Sequence, residues 1–251
     1  MATVLVTGGT GVLGSYLVPR LVARGHDVRR LSRHASGPDA VRGDVRTGEG
    51  IDAAVDGCDV VVHAATNAQR RPRETEVEGT RHIVQAARAT GAHVIYVSIV
   101  GVDRHRIPYY KAKWEAEQVI ESSGIPWTIL RATQFHDLVD RILGLRVVPL
   151  PRRTPFQPVD GAEVADVLVD LVDRGPSGRA PEVGGPQVLT IKDLNEIRTR
   201  VTGRRAFLLP VPPVWFVRDF VDGRHLPSNA VKGRTTWEEW LSQRLPRPAG
   251  G

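Results

Sequence analysis

The sequence predicts an α/β protein, with a doubly wound parallel sheet and a small C-terminal substrate lobe. Short apolar runs alternate with helical patterns between residues 3 and 130. A glycine-rich turn, Gly8–Gly14, separates the first apolar run from the first helical pattern. The run Asp59–Ala64 is almost continuously apolar, which is typical of a strand buried on both faces. Alternating strands and helices of this kind form parallel sheets covered by helices on both sides.

The first strand covers Thr3–Val6. A helix over Ser15–Arg24 follows, because apolar residues recur there at helical spacing and Gly25 then ends the pattern. The same reasoning predicts, in order, a strand over His26–Leu31, a short strand over Ala40–Val45, a brief helix over Gly50–Asp56, a strand over Asp59–Ala64, a long amphipathic helix over Glu74–Thr90, a strand over His93–Val100, a helix over Tyr109–Ser122 and a strand over Pro126–Leu130.

The remaining chain is less regular, although helices are expected over Phe135–Leu145 and Ala162–Val172. Pro149–Pro158 should be loop or edge, and Pro186–Thr202 a turn, a short strand and a helix. Phe207–Val217 is apolar but interrupted by prolines, so it suits core, a pocket lid or a dimer contact. We therefore predict one domain over 1–251, with a core of 1–133 plus 156–182 and a lobe of 134–155 plus 183–251.

Composition excludes several classes of protein. The 251 residues carry a formal net charge of +6 and are 41% apolar, which indicates a folded globular chain rather than a disordered one. A single cysteine, Cys58, excludes an internal disulfide or a cysteine-based zinc site, so we expect a reducing, cytoplasmic environment and no metal. The arginines are scattered, and no apolar stretch approaches about 18 residues. We expect neither a nucleic-acid nor a membrane partner.

The glycine turn predicts a dinucleotide site. Gly8, Gly11 and Gly14 follow a strand and open a helix, and a Cβ there would hold the backbone away from a pyrophosphate. The N–H groups and the partial positive charge of the helix N-terminus favour phosphates. Thr10, Val12 and Leu13 complete this predicted set.

The end of the second strand selects the cofactor. NAD sites place an acid here to bind the ribose 2′-hydroxyl, whereas NADP sites place an arginine to bind the 2′-phosphate. No acid occurs in residues 31–36, and Arg33, with Ser32 or Ser36, supplies donors. The sequence favours NADP(H) over NAD(H), and the alternative is that Arg33 is a solvated surface arginine.

Two further strand ends complete the predicted cofactor site. Asp44 and Val45 follow the third strand, where Asp44 could accept from the adenine amino group or cap a turn. Ala64, Ala65 and Thr66 end the fourth strand, where small residues suit a backbone beside the adenosine ribose or ordinary packing.

Tyr109 and Lys113 form a candidate catalytic pair. Their i, i+4 spacing near a helix start puts both on one face, at the sheet edge where ligands bind. A tyrosine with a pKa near 10 is a poor acid–base group at neutral pH, and a nearby ammonium lowers that pKa. Tyr110 also lies nearly on this face, and we prefer Tyr109 without excluding Tyr110.

Together these motifs resemble a known family. They are joined by Glu78-Gly79-Thr80, Val97-Ser98 and Ile129–Thr133 in the expected order. The chain resembles the atypical short-chain dehydrogenases/reductases, in the NmrA-like branch near the complex I 39-kDa-subunit-like proteins. The resemblance implies an NADP(H)-binding Rossmann core with a variable substrate lobe.

The resemblance also implies roles for individual residues. Lys113 would contact the nicotinamide ribose, while Ala132, Thr133 and Phe135 would pass beside the nicotinamide. Active members place a Ser or Thr shortly after the fifth strand. Ser98 is the only hydroxyl there, one or two positions early.

Substrate contacts are expected after the sixth strand, from Gln134 and His136. The alternative for His136 is a histidine at a helix start with local hydrogen bonds. The leading function is NADP(H)-dependent oxidoreduction of a small carbonyl or alcohol by a monomer or homodimer. The alternatives are a non-catalytic NADP(H)-binding redox sensor and a redox-neutral isomerase, dehydratase or cyclase.

Overall fold

The computed structural model describes residues 1–34, 37–68, 71–212 and 215–245, with the backbone alone for residues 215 and 216. Ser36 and residues 246–251 of the predicted lobe lie outside this description, as do residues 213 and 214 of the apolar segment.

As far as β6, the described strands and helices follow one another as the sequence predicts, whereas several of the later short strands and the last two helices were not predicted. The strands are β1 (Thr3–Thr7), β2 (Asp27–Ser32), β3 (Ala40–Arg42), β4 (Val60–His63), β5 (His93–Ile99), β6 (Trp127–Ala132), β7 (Val147–Val148), β8 (Pro155–Phe156), β9 (Gly178–Arg179), β10 (Val183–Gly184), β11 (Leu189–Thr190), β12 (Phe207–Leu208) and β13 (Val231–Lys232). The helices are α1 (Val12–Ala23), α2 (Ile51–Val55), α3 (Gly79–Thr90), α4 (Pro108–Glu121), α5 (His136–Leu143), α6 (Gly161–Arg174), α7 (Ile191–Thr202), α8 (Trp215–Val221) and α9 (Trp237–Gln243).

Within the described residues, nine strands form one sheet in the order β13-β10-β6-β5-β4-β1-β2-β3, with β9 also beside β6. Every pairing in this sheet is parallel. The order reverses between β1 and β4, so the carboxyl ends of these strands diverge into a crevice. The predicted Rossmann-type fold is confirmed.

Both faces of the sheet are covered. One hydrophobic cluster joins the sheet to α1 and α6, through residues such as Leu17 and Leu168. The opposite cluster joins it to α2, α3 and α4, through residues such as Ile83 and Ile120. A sheet covered on both sides must be apolar on both sides, which is why β4 is so uniformly apolar.

The structure corrects two of the predicted elements. The third strand ends at Arg42 rather than Val45. The predicted helix over Glu74–Thr90 is divided: a π-helical turn covers Glu74–Glu78, and the α-helix begins at Gly79. Helical periodicity alone does not reveal an inserted residue, because the apolar stripe continues across it.

The C-terminal part has its own cluster. Residues of α5, α7 and α9 pack together there, among them Leu143, Leu194 and Trp237. From the predicted lobe, β10 and β13 extend the central sheet. The division into core and lobe stays a prediction. No helix in the described part of the chain combines the length and apolarity needed to cross a membrane.

Candidate active site

The glycine turn lies at the crevice between β1 and β4. Gly8 has a φ of +71°, and a Cβ on it would lie 2.8 Å from the carbonyl oxygen of Ala64. A Cβ on Gly14 would lie 2.5 Å from the carbonyl oxygen of Gly8. Gly8 and Gly14 are therefore required because a side chain at either position would clash with the turn itself or with the residues after β4. This requirement is separate from any close approach of the backbone to a ligand.

The N-terminus of α1 is open to a ligand. Its N-cap, Gly11, offers no side-chain hydrogen bond, and the first turn contains no acidic residue. Thr10, Gly11 and Val12 are exposed, whereas Leu13 is buried in the core. The N–H groups of a first helical turn have no partner within the helix, so these fit a pyrophosphate. Leu13 would support the turn from within.

Two arginines lie near the end of β2, and their surroundings differ. Arg30 packs against Gly9, and its guanidinium donates two hydrogen bonds to the Asp39 carboxylate, so its charge is already paired. Arg33 is exposed, and its guanidinium has no hydrogen-bond partner among the described residues. Of the two, Arg33 is the cation available to a 2′-phosphate.

Asp44 is already bound within the chain. Its carboxylate accepts from the Arg46 guanidinium at 2.9 Å and from the Arg46 backbone N–H at 2.9 Å. The Arg46 hydrogen bond, with a smaller contribution from Arg33, lowers the pKa of Asp44. A contact with adenine would have to share this carboxylate with Arg46. Val45 is buried and packs against Gly79, at the start of α3.

The end of β4 brings small residues to the glycine turn. Ala64 lies against Gly8, and the N–H of Ala65 donates to Thr7 Oγ1 at 3.1 Å. His63 on the same strand is fully buried, and burial lowers its pKa to about 4. Its Nδ1 lies 2.7 Å from Thr7 Oγ1, as expected for a core histidine.

Tyr109 points into the crevice and Tyr110 points away from it. The Tyr109 hydroxyl lies 2.7 Å from Oγ1 of Thr66, in the loop that follows β4. Tyr110 is buried against His105, with ring centroids 4.3 Å apart, and its hydroxyl accepts from Gln134 Nε2 at 3.4 Å. Burial raises the pKa of both tyrosines, and Lys113 partly opposes this at Tyr109.

Lys113 is buried and fully engaged. Its ammonium lies 3.1 Å from Glu76 Oε2 and donates to Tyr96 Oη at 3.2 Å and to the carbonyl of Val97 at 2.9 Å. Burial alone would lower the pKa of Lys113, but the Glu76 carboxylate raises it above its ordinary value. The ammonium has three N–H donors, and all three have acceptors.

Glu76 is the site residue that the sequence analysis missed. It is completely buried, and its other oxygen, Oε1, accepts from Thr66 Oγ1 at 2.6 Å and from the N–H of Asn67 at 3.1 Å. Burial would raise its pKa, but Lys113 and these hydrogen bonds leave it lowered. A sequence signal existed, because Glu76 is a carboxylate on the apolar stripe of a predicted amphipathic helix.

Ser98 belongs to a different cluster. Its hydroxyl donates to Glu117, which also binds Arg131 at 2.6 Å and Arg179 at 3.0 Å. This cluster joins α4 to β5, β6 and β9. The structure does not place the Ser98 hydroxyl with Thr66 and Tyr109, because its acceptor lies one helical turn beyond Lys113 on α4.

The residues after β6 have mixed surroundings. Ala132 is buried, Phe135 packs against the α1–α6 cluster, and Thr133 Oγ1 donates to the carbonyl of Gln157 at 2.6 Å. Gln134 is nearly buried, with its Oε1 unpaired among the described residues. It is therefore the polar side chain here that a ligand could satisfy.

His136 packs against two tryptophans of α9. Its fully buried ring lies 5.5 Å from the rings of both Trp237 and Trp240, and Nε2 lies 3.2 Å from the carbonyl of Thr235. Burial lowers its pKa. These contacts fit the alternative of a helix-start histidine with local hydrogen bonds better than a contact with substrate.

A model of a family described as NAD(P)H-binding matches residues 8–174, about two thirds of the chain. The chain belongs to this NAD(P)H-binding family. The matched region contains the glycine turn, Tyr109 and Lys113, and it confirms the predicted resemblance to NAD(P)H-binding, atypical short-chain dehydrogenases/reductases.

This NAD(P)H-binding chain is similar to several reductases. It is 29% identical to the chloroplastic divinyl chlorophyllide a 8-vinyl-reductase of Oryza sativa subsp. indica, with 84% of this chain and 61% of that one covered. It is also 29% identical to the (4-alkanoyl-5-oxo-2,5-dihydrofuran-3-yl)methyl phosphate reductase of Streptomyces griseus subsp. griseus, covering 80% and 74%. The chain thus spans about three fifths of the length of the plant reductase.

Among solved structures, the chain is similar to the Citrobacter sp. triphenylmethane reductase complexed with NADP(H), with a TM-score of 0.78, 17% identity, and 97% and 100% of the two chains covered. A nucleoside-diphosphate-sugar epimerase from Staphylococcus aureus has a TM-score of 0.74, 16% identity, and coverage of 96% and 99%. At these identities the similarity shows the shared fold.

Proposed function

We propose that this NAD(P)H-binding protein is an NADP(H)-dependent oxidoreductase that reduces a small carbonyl substrate, or oxidises the corresponding alcohol. The observation that carries the proposal is the Tyr109 hydroxyl, 2.7 Å from Thr66 at the crevice beside the glycine turn. A proton donor at the edge where a dinucleotide binds is what carbonyl reduction requires. The reductase names of the two relatives support the same class of reaction.

The chain's own residues would hold the cofactor at opposite ends of the crevice. The N-terminus of α1 would bind the pyrophosphate, and Arg33 would bind the 2′-phosphate. Thr66 follows β4 and Ala132 ends β6, and both would lie on the nicotinamide side of the crevice. When bound, NADPH supplies the hydride for the reduction.

Tyr109 supplies the proton in this proposal. Because burial raises its pKa above 10, the hydroxyl is protonated at neutral pH and can donate to a substrate oxygen that becomes negative. The Thr66 hydroxyl can then turn to donate to the phenolate. Gln134, whose Oε1 has no partner among the described residues, is proposed as a substrate contact.

One observation favours the redox-sensor alternative. All three N–H donors of Lys113 are used within the protein, so a contact from Lys113 to the nicotinamide ribose would require one of them to be released. A protein that binds the dinucleotide without turning over a substrate would not need that contact. The isomerase, dehydratase or cyclase alternative stays a prediction, as do the cytoplasmic location and the monomeric or dimeric state.

The test is the substitution Tyr109→Phe, with Tyr110→Phe as the matched control. Losing a general acid should reduce turnover of a responsive carbonyl substrate by about 10²–10⁴-fold. Tyr110→Phe should retain turnover within a few-fold. NADPH should raise the melting temperature of both variants as it does for the parent protein, because neither hydroxyl is needed to bind the pyrophosphate.

The outcomes separate the candidate functions. Stabilisation by NADPH without turnover across a panel of carbonyl compounds would favour the sensor. Absence of stabilisation by either NADPH or NADH would refute both. Equal activity of the parent and Tyr109→Phe proteins would remove Tyr109 from the mechanism.

A further inference from the structure

The π-helical turn before α3 directs one glutamate, Glu76, towards the candidate active site. Glu74 and Glu78 in this turn reach solvent, where they pair with Arg71 at 3.0 Å and with Arg81 at 3.0 Å. Glu76 between them is completely buried. π-helical turns interrupt α-helices mostly at functional positions, because they re-aim a side chain at the cost of regular hydrogen bonding.

Glu76 balances the charge of Lys113. The two groups approach to 3.1 Å within a site closed to solvent, and the remaining two N–H donors of Lys113 go to Tyr96 and Val97. A buried ammonium without a partner would act strongly on a nearby phenol, since little water screens it. With Glu76 in place, the pair is neutral as a unit.

Glu76 also sets the direction of the hydrogen bonds that reach Tyr109. A carboxylate only accepts, so the Thr66 hydroxyl donates to Glu76 Oε1 at 2.6 Å. Having used its single proton, Thr66 accepts from Tyr109 at 2.7 Å. The resting arrangement therefore requires a Tyr109 hydroxyl that still carries its proton.

We propose that Glu76 is a positioning residue of the proposed reductase, which neutralises Lys113 and, through Thr66, keeps Tyr109 as a protonated hydroxyl ready to act as an acid. This inference rests on the role proposed for Tyr109. It differs from the expectation drawn from the sequence, in which Lys113 favours the phenolate. Here Lys113 and Glu76 act as one neutral unit, and Tyr109 is an acid rather than a base.

The test titrates tyrosinate by its ultraviolet absorbance in protein without cofactor, and the Tyr109→Phe spectrum is subtracted to isolate Tyr109. In Glu76→Gln the charge of Lys113 is no longer balanced, so Tyr109 should ionise about one pH unit or more below the parent. Glu78→Gln, in the same turn but paired at the surface, should leave the titration unchanged. A folded Glu76→Gln protein with the parental titration would overturn the inference.

A double variant covers the case in which Glu76→Gln does not fold. Glu76→Gln with Lys113→Met removes both charges together, which proteins tolerate better than one unpaired buried charge. If the pair is neutral as a unit, Tyr109 should ionise within about half a pH unit of the parent. If Glu76 does not balance the charge of Lys113 in the parent protein, removing both charges should raise the pH at which Tyr109 ionises by about one unit or more. That outcome would contradict the inference.

These titrations need no substrate, so they stand apart from the proposed activity. Shifts in the titration without any measurable turnover would support the role of Glu76 while refuting the reductase. Where turnover is found, the alkaline limb of kcat/KM for reduction should move to lower pH in Glu76→Gln by the same amount as the titration. A purely structural role would lower stability and leave this limb in place.

Discussion

At the scale of single residues, cofactor choice depends on Arg33. Arg30 and Arg33 lie three positions apart near the end of β2, yet Asp39 binds Arg30, whereas Arg33 is exposed and forms no hydrogen bond or ion pair in the described chain. A charge that is already paired gains little from a phosphate, because it must first release its carboxylate. The free guanidinium is the one expected to distinguish NADPH from NADH.

Arg33→Ala should weaken NADPH binding by about 10–100-fold, since a hydrogen bond to a charged group contributes about 1.5–3 kcal/mol. NADH has no 2′-phosphate, so its affinity should change less than about threefold. Isothermal titration calorimetry with both nucleotides measures the two effects. Arg42→Ala, an exposed arginine on β3, is the control and should leave both affinities unchanged. Parallel losses for NADPH and NADH would contradict this role.

At the scale of elements, α4 serves the site with one face and the sheet with another. Its first turns carry Tyr109 and Lys113 to the crevice. One turn later the fully buried Glu117 binds Arg131 of β6, Arg179 of β9 and the hydroxyl of Ser98. The position of Tyr109 therefore depends on an anchor that makes no contact with the crevice.

Glu117→Gln should lower the free energy of unfolding by about 3 kcal/mol, because it leaves the mostly buried Arg131 without its main carboxylate. Glu121→Gln, which affects a more exposed pair with Arg179, should cost less than about 1 kcal/mol. Urea denaturation gives both values from the transition midpoints. Similar midpoints for the two variants would show that the Glu117 cluster does not anchor α4.

At the scale of the whole molecule, stability should depend on pH through neutral buried histidines. Burial lowers the pKa of a set of histidines to about 4: His63, His93, His105 and His225. In the unfolded chain these groups titrate near 6.5. Between these values the unfolded chain binds protons that the folded chain does not, so acid favours unfolding.

The free energy of unfolding should be fully retained above about pH 6.5 and fall as the pH drops towards 4, with each such histidine contributing a slope of up to about 1.4 kcal/mol per pH unit. Below about pH 4 these histidines cause no further loss. His93→Gln should reduce the pH dependence of the free energy of unfolding by up to the contribution of one histidine. The control His34→Gln, at an exposed position, should leave that pH dependence unchanged. Denaturant midpoints across pH 4–7 measure this, and a parental slope in His93→Gln would contradict it.

The sequence by itself determined the order of the elements as far as β6, the glycine turn and the family. Apolar spacing repeats within each strand or helix, and the turn needs only residues that are adjacent in the chain, so both can be read locally. The position of Tyr109 at the carboxyl edge follows from the same alternation of strands and helices. The preference for Tyr109 over Tyr110 agrees with the hydroxyl directions in the structure, and its catalytic role stays a prediction.

Only the tertiary structure decided what surrounds the candidate catalytic residues. Glu76, Thr66 and Lys113 come from three separate segments, and their hydrogen bonds exist only once the loop after β4, the π-helical turn and α4 are packed together. Packing also turned Ser98 towards Glu117 and placed His136 against Trp237 and Trp240. The periodicity of a chain reports which residues are buried, but it does not report which buried charges meet, because that depends on contacts between segments distant in sequence.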